Sequence, residues 1–234
     1  MDAIDRGDRY VYTGPLHSSH LSLLTTPYPL IITPFFMIPH ILILAAGSSS
    51  RLGRPKQLVK LGGRPALHIT ISNAVGVAGH AVTVVLGAQA REMTYLLERS
   101  PASWVINRSW EEGIASSIRA GVAALPSGSE AALILLGDQI AVTPDDLKRL
   151  ISAWNGADAV IAASQYERHV GVPAVFPAFC FPELASLRGD QGARSVLERN
   201  RDRVIRVPMP NAAIDLDTPE QLAALTGRFN NEEG

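Results

Sequence analysis

From Ile41 onward the chain alternates short apolar runs with stretches of mixed polarity, and small or polar residues stand at each junction. Ile41-Leu42-Ile43-Leu44 has the length and β-branched content of a strand buried on both faces. Residues Pro65–Val77 carry apolar positions at near-helical spacing and stop at Gly79, a helix terminator. Ala81–Leu86 predicts a second buried strand ending at Gly87, Arg91–Arg99 a helix, and Trp104-Val105-Ile106 a short strand before Asn107. Gly113–Leu125 predicts a helix, Pro126-Ser127-Gly128-Ser129 a turn, and Ala131–Leu136 a fourth apolar strand running into Gly137-Asp138. Thr143 and Pro144 read as the N-cap and first residue of the next helix, and Ala157–Ala163 as a further strand. Strands separated by helices imply right-handed βαβ units: an α/β fold in one domain, with a mostly parallel sheet and helices on both faces. Ligands of such sheets bind beyond the carboxyl ends of the strands, which puts Gly47, Gly87, Asn107 and Asp138 on one rim.

Residues 1–39 break this pattern. Met1–Arg9 is charged and Leu16–Pro39 is largely apolar, but Pro27, Pro29, Pro34 and Pro39 interrupt it. A membrane-spanning helix needs about 20 mostly apolar residues in a row. Asp2, Asp5 and Asp8 offset Arg6 and Arg9 where a signal peptide carries net positive charge. The expected organisation is a loose extension or over-long start at 1–39, a functional domain at 40–228 and a tail at 229–234. Deleting residues 1–36 is expected to leave folding and activity intact.

The length, 234 residues, suffices for one large domain with a sizeable core. A formal net charge of −1 gives no global attraction to nucleic acid or anionic membranes, so neither is expected as a partner and any phosphate site must be local. The single cysteine, Cys180, excludes an intramolecular disulfide and reads as a core thiol of a cytoplasmic protein. The histidines are scattered, and no zinc site is expected.

A local phosphate site is visible after the first strand. Ala45, Ala46 and Gly47 leave little side-chain bulk where that strand stops, so a ligand can approach the backbone. Ser48–Gly53 offers backbone N–H groups and hydroxyls for an anion, and Arg51 and Lys56 add two cations on the same loop. This suits a triphosphate. The spacing matches neither the G-x-x-x-x-G-K-[ST] loop nor the G-x-G-x-x-G dinucleotide fingerprint. Asp138, at the end of the fourth strand, can hold a magnesium ion against phosphate oxygens, or cap a turn. Asp215 and Asp217 stand at i and i+2, pointing the same way on an extended strand. Asp217 also suits the N-cap of a last helix starting at Thr218-Pro219. Asn107, Gly113, Ser116 and Ser117 surround a helix start, which suits either polar recognition or simple capping. Arg194 suits a substrate phosphate or a surface ion pair.

Leu44-Ala-Ala-Gly-Ser-Ser-Ser-Arg-Leu-Gly-Arg-Pro-Lys56 resembles the signature loop of the MobA-like nucleotidyltransferase family, nearest to its molybdenum cofactor cytidylyltransferase branch. Gly137-Asp138-Gln139 is similar to the family's Gly-Asp-Gln-Pro segment, with Ile140 in place of proline. Asp215-Leu-Asp-Thr-Pro219 resembles its closing Asp-x-Asp-Thr-Pro segment. Gly171-Val172-Pro173 and Gly189-Asp190-Gln-Gly-Ala-Arg194 resemble the Gly-x-Pro and Gly-Asp-x-Gly-Ala-Arg segments of the molybdopterin branch. The resemblance spans Ile41–Leu225. It implies a single-domain Rossmann-like nucleotidyltransferase fold and a Mg2+-dependent transfer of CMP from CTP to the phosphate of molybdopterin, with release of pyrophosphate. A finished cofactor would then pass to a molybdoenzyme. Lys56, Arg51 and Asp138 take the catalytic roles, Asp138 and Asp217 hold the metal, and Asp215 is the weaker candidate. Leu44, Ala45, Ala46, Gly47, Gly87, Asn107, Gly113, Ser117, Asp190 and Arg194 join Arg51 and Lys56 in binding substrate. The alanine pair at 45–46 is associated with cytosine, whereas the guanylyl branch carries a second glycine at the position of Ala46. The alternatives are a nucleotidyltransferase acting on a sugar phosphate or isoprenoid precursor, and an NAD(P)H-dependent oxidoreductase reusing the scaffold.

Overall fold

A computed structural model describes residues 37–48, 55–214, 216, 221 and 225. The chain's most apolar run forms β1 (His40–Ala45), whose residues from Ile41 on are almost fully buried. Its side chains alternate between the two faces. Ile41, Ile43 and Ala45 enter one core, with Leu67, Leu150 and Trp154. Leu42 and Leu44 enter the other, with Ile118, Leu184 and Leu197. Each fully buried Ile or Leu contributes roughly 1.5–3 kcal/mol, so β1 alone draws helices onto both faces of the sheet.

Past β1 come a hairpin of β2 (Lys60–Leu61) and β3 (Arg64–Pro65), helix α1 (Ala66–Ala78), β4 (Val82–Leu86), α2 (Ala90–Thr94) and β5 (Ser103–Ile106). Helix α3 (Ile114–Ala123), β6 (Ala131–Leu136), α4 (Pro144–Trp154), β7 (Ile161–Tyr166) and β8 (His169–Pro177) follow. The last described elements are α5 (Phe181–Ser186), α6 (Arg194–Arg199) and β9 (Val204–Pro208). The seven-stranded sheet has the order β5-β4-β1-β6-β8-β7-β9. Every pairing in it is parallel except those of β8, which runs antiparallel to both neighbours. The α/β architecture expected from the alternation is therefore present.

Local chemistry explains several boundaries. Gly79 ends α1 with φ 57°. Thr143 and Asp146 cap α4 reciprocally, side chain to backbone in both directions, with Pro144 in the first turn. Such a cap contributes about 1 kcal/mol. Burial alone would raise the Asp146 carboxyl, but hydrogen bonds from Asn211, Thr143 and Arg149 outweigh it and hold it below the ordinary value. Cys180 is fully buried, and burial pushes its thiol up to about 12, as suits a core thiol.

Two expected elements shift. The helix expected over 91–99 is the shorter α2, after which the chain runs on in turns. The strand expected over 157–163 begins at Ile161 and extends to Tyr166. Asn155 and Gly156 first take left-handed conformations, and the Trp154 indole N–H donates to the Ala157 carbonyl at 2.9 Å, which folds this stretch into a turn. The small hairpin and strands β8 and β9 carry no counterpart in the sequence reading.

Order in the sheet locates the site. From β1 the chain steps outward through β4 to β5, then returns to β6 on the other side of β1. The carboxyl ends of β1 and β6 therefore flank a topological switch point, where α/β sheets open a crevice.

Candidate active site

A cavity of about 370 Å³ opens at this point, lined by Leu44, Ala46, Gly47 and Ser48 after β1 and by Leu136, Gly137 and Asp138 after β6. Backbone contacts keep the two strand ends together: the Gly137 amide donates to the Leu44 carbonyl at 2.9 Å. A Cβ on Gly137 would stand 3.0 Å from that of Ala45, so the small residues here are a packing requirement. Thr70 of α1 fixes the same turn by donating to the Gly137 carbonyl at 3.2 Å.

Lys56 opens a short 3-10 helix, Lys56–Leu58, on the cavity wall. Its ammonium forms an ion pair with the Asp138 carboxylate across the cavity. The side chains are only 20% and 10% exposed, so water screens the pair weakly. The neighbouring Gln57 amide donates to the Gly47 carbonyl at 3.2 Å, which ties this segment to the end of β1.

The third wall is the start of α3, where Gly113, Ile114 and Ser117 line the cavity beside Trp110 and Glu111. Gly113 stands at φ 111°, and a Cβ there would meet the Asp190 carboxylate at 2.5 Å and the Gly189 carbonyl at 2.5 Å. Helix α3 thus presents its electropositive N-terminus to the cavity. Arg119 and the Gly189 amide hold the Glu112 carboxyl down at about 2, mainly through the hydrogen bond from Arg119.

Placement of the expected residues divides into five groups. Lys56, Asp138, Leu44, Ala46, Gly47, Gly113 and Ser117 line the cavity. Ala45, Gly87 and Asn107 stand behind its wall. A Cβ on Gly87 would come within 2.5 Å of the Ala46 carbonyl, and the Ala88 amide donates to that carbonyl at 3.1 Å. Asn107 is buried, and its amide nitrogen donates to Ser116 at 2.7 Å and Ser117 at 3.1 Å while its oxygen accepts from the Ser109 amide. Its function here is to position the start of α3. Asp190 packs against Gly113 at the edge, whereas Arg194 faces a second cavity and pairs with Glu198. Arg51, Asp215 and Asp217 lie outside the described residues.

Residues that the sequence reading left without a role also build the site. Trp110, Glu111, Gln57 and Ile114 line it. Gln139 is 2% exposed and uses its whole amide: it accepts from the Leu136 amide at 3.1 Å and donates to the carbonyls of Val172 at 2.9 Å and Ala212 at 3.2 Å. Ile140, where the family motif has proline, is buried in one apolar cluster with Leu216. In the sequence Gln139 stood out only as a position of the Gly137-Asp138-Gln139 motif, with no role attached.

The chain is similar to a nicotine blue oxidoreductase of Paenarthrobacter nicotinovorans, 32% identical over 78% of this chain and 94% of the relative. It is 28% identical to the purine catabolism protein PucB of Bacillus subtilis, over 76% and 91% of the two chains. It is 24% identical to a probable molybdenum cofactor guanylyltransferase of a Nostoc species, over 81% and 91%. Among crystal structures, the Mycobacterium sp. strain JC1 homologue of Rv0371c superposes with a TM-score of 0.70 at 29% identity, covering 82% of this chain and 96% of the other. Rv0371c of Mycobacterium tuberculosis H37Rv, crystallised as a manganese complex, gives 0.67 at 26% identity, over 80% and 97%. The MobA-like NTP transferase domain pattern matches residues 41–204. The small residues Ala46 and Gly47 at the end of β1 and a carboxylate after β6 thus meet at the switch point of a chain that belongs to the MobA-like NTP transferase family.

Proposed function

We propose that the protein transfers CMP from CTP to the phosphate of a molybdopterin-type acceptor and releases pyrophosphate. The observation that carries this reading is the pairing of Lys56 with Asp138 inside the switch-point cavity, between the end of β1 and the N-terminus of α3. A phosphate monoester is already a nucleophile, so the reaction needs no general base. An acceptor oxygen bonds to the α-phosphorus as the bond to the β-phosphate breaks, and pyrophosphate carries the electron pair away. Catalysis is then positioning and charge neutralisation. Lys56 stabilises the charge that grows on the α-phosphate. Arg51 and the loop amides hold the β- and γ-phosphates, and the α3 N-terminus adds a favourable dipole.

Lys56 is opposed by Glu111 and Asp138 among the described charged residues of the cavity. A triphosphate therefore needs further positive charge. The carboxylate of Asp138 is the donor type that a hard divalent cation takes, usually with one or two carboxylates and phosphate oxygens completing the shell. Asp217 is the second ligand in this reading. Its neighbour Leu216 is buried in the same cluster as Ile140, two positions after Asp138, which supports this reading. Asp138 and Asp217 would hold the ion, which would supply neutralisation of phosphate charge. The manganese complex of the mycobacterial relative supports a divalent ion. The guanylyltransferase relative supports a molybdopterin acceptor, and Ala46 on the cavity wall, where the guanylyl branch carries glycine, supports cytosine over guanine.

Similarity to nicotine blue oxidoreductase over nearly its whole length favours a second reading, reduction by NAD(P)H on this scaffold. Thermal shift with magnesium and each of CTP, GTP, UTP and ATP, with NADPH alongside, separates the two. A magnesium-dependent shift selective for CTP is the expected result. A shift with NADPH and with no nucleoside triphosphate would overturn the transferase reading.

A further inference from the structure

A second cavity, of about 220 Å³, lies at the far end of the sheet and shares no lining residue with the first. Its apolar floor is Val170, Leu197 and Val204. Four arginines from separate parts of the chain converge on its rim: Arg168 from the β7–β8 turn, Arg194 from α6, Arg201 from the turn after α6 and Arg206 from β9. Glu198 is the one carboxylate among the lining residues, and its hydrogen bond at 2.9 Å engages Arg194. Arg201 has the Asp202 carboxylate at 3.9 Å. Arg168 and Arg206 have no carboxylate partner among the described residues. Two neighbouring arginines are engaged elsewhere, Arg199 with Glu183 and Arg203 over the Phe179 ring at 5.2 Å.

We infer that this arginine-rimmed cavity is a binding site for a small phosphate-class oxyanion, separate from the catalytic cavity. Like charges gathered on one rim repel, and an anion between them removes that repulsion. The guanidinium fork matches the oxygens of phosphate in a way that an ammonium does not. Volume sets the size of the ligand: 220 Å³ is about seven waters' share of liquid volume and lies below the ~300 Å³ at which drug-sized ligand pockets begin. A phosphoryl or diphosphate group fits this volume. Nor can this anion be the reacting phosphate, because the Lys56–Asp138 pair lies in the other cavity. The inference therefore stands whichever reaction the first cavity performs.

Isothermal titration with inorganic phosphate in magnesium-free buffer tests this on the full chain. Wild type and Lys56→Ala are each expected to show one saturable site of similar affinity. The double variant Arg168→Ser/Arg206→Ser is expected to bind at least tenfold more weakly. Its two side chains stand on a turn and an edge strand, and circular dichroism would verify that the fold is retained. Equal affinity in the double variant, loss of the site in Lys56→Ala, or no saturable binding to wild type would each overturn the inference. A parallel titration with glycerol phosphate tells a free oxyanion from the phosphate of an organic ester, according to which binds tighter.

Discussion

Lys56 and Asp138 form an ion pair, and both are required by the proposed chemistry. Replacing Lys56 by Ala removes the only described cation of the cavity wall. Turnover is expected to fall about 10²–10³-fold, as for loss of one transition-state donor, with an unchanged circular dichroism spectrum. Near-normal turnover would remove Lys56 from the mechanism. Glu112 offers a second test. Its folded carboxyl stands at about 2, below its value of 4.5 in the unfolded chain. The unfolded state therefore takes up the proton first as pH falls. The Glu112–Arg119 link is expected to stabilise the fold fully above about pH 4.5 and to fade toward pH 2. Urea midpoints of wild type and Glu112→Gln should converge over that window; a constant gap would rule the link out. Lys56 and Asp138 were legible from residue type and position after an apolar run. Gln139 was not, because its partners Val172 and Ala212 lie 33 and 73 positions away.

At the scale of elements, buried parallel strands announced themselves. Ala131–Leu136 runs where its apolar run does, and Thr143-Pro144 opens α4 where a cap was read. Strand β8 was hidden by its own punctuation. Gly171 and Pro173 interrupt it, and the Glu167-Arg168 turn before it lacks the Asn-Gly or Asp-Gly signal, Glu167 itself adopting φ 52°. Gly87 shows how closely neighbouring elements meet. Gly87→Ala would force a methyl to within 2.7 Å of the Ala46 methyl and 2.8 Å of the Trp110 Cβ. Overpacking of this kind costs about 1–3 kcal/mol. The expected outcome is a melting temperature several degrees lower together with weaker nucleotide binding. An unchanged affinity would show that the end of β1 does not shape the nucleotide site.

Across the whole molecule, every described element begins at or after His40. No helix among the described residues is long and apolar enough to cross a membrane. A chain lacking residues 1–36 is expected to melt cooperatively at the same temperature as the full chain and to keep its nucleotide-dependent shift; a lower melting temperature would assign those residues a part in the fold. Overall architecture was readable because apolar runs of strand length alternate with helical ones. Asp215 and Asp217, the proposed metal side of the site, stood out in the sequence only as a motif, and both lie outside the described residues.

The Lys56–Asp138 ion pair in the cavity has a thermodynamic corollary. Lys56 and Asp138 each occupy the place of the other's ligand, so the first ligand to arrive must separate them and the second finds them already apart. On the proposed reading, nucleotide and divalent cation are linked: each raises the other's affinity by the same factor, because coupling free energies are reciprocal. Asp138→Asn, which removes the charge that holds Lys56, should tighten CTP in metal-free buffer and abolish the response to magnesium. Independent binding of the two ligands in the wild type would show that the pair imposes no such linkage.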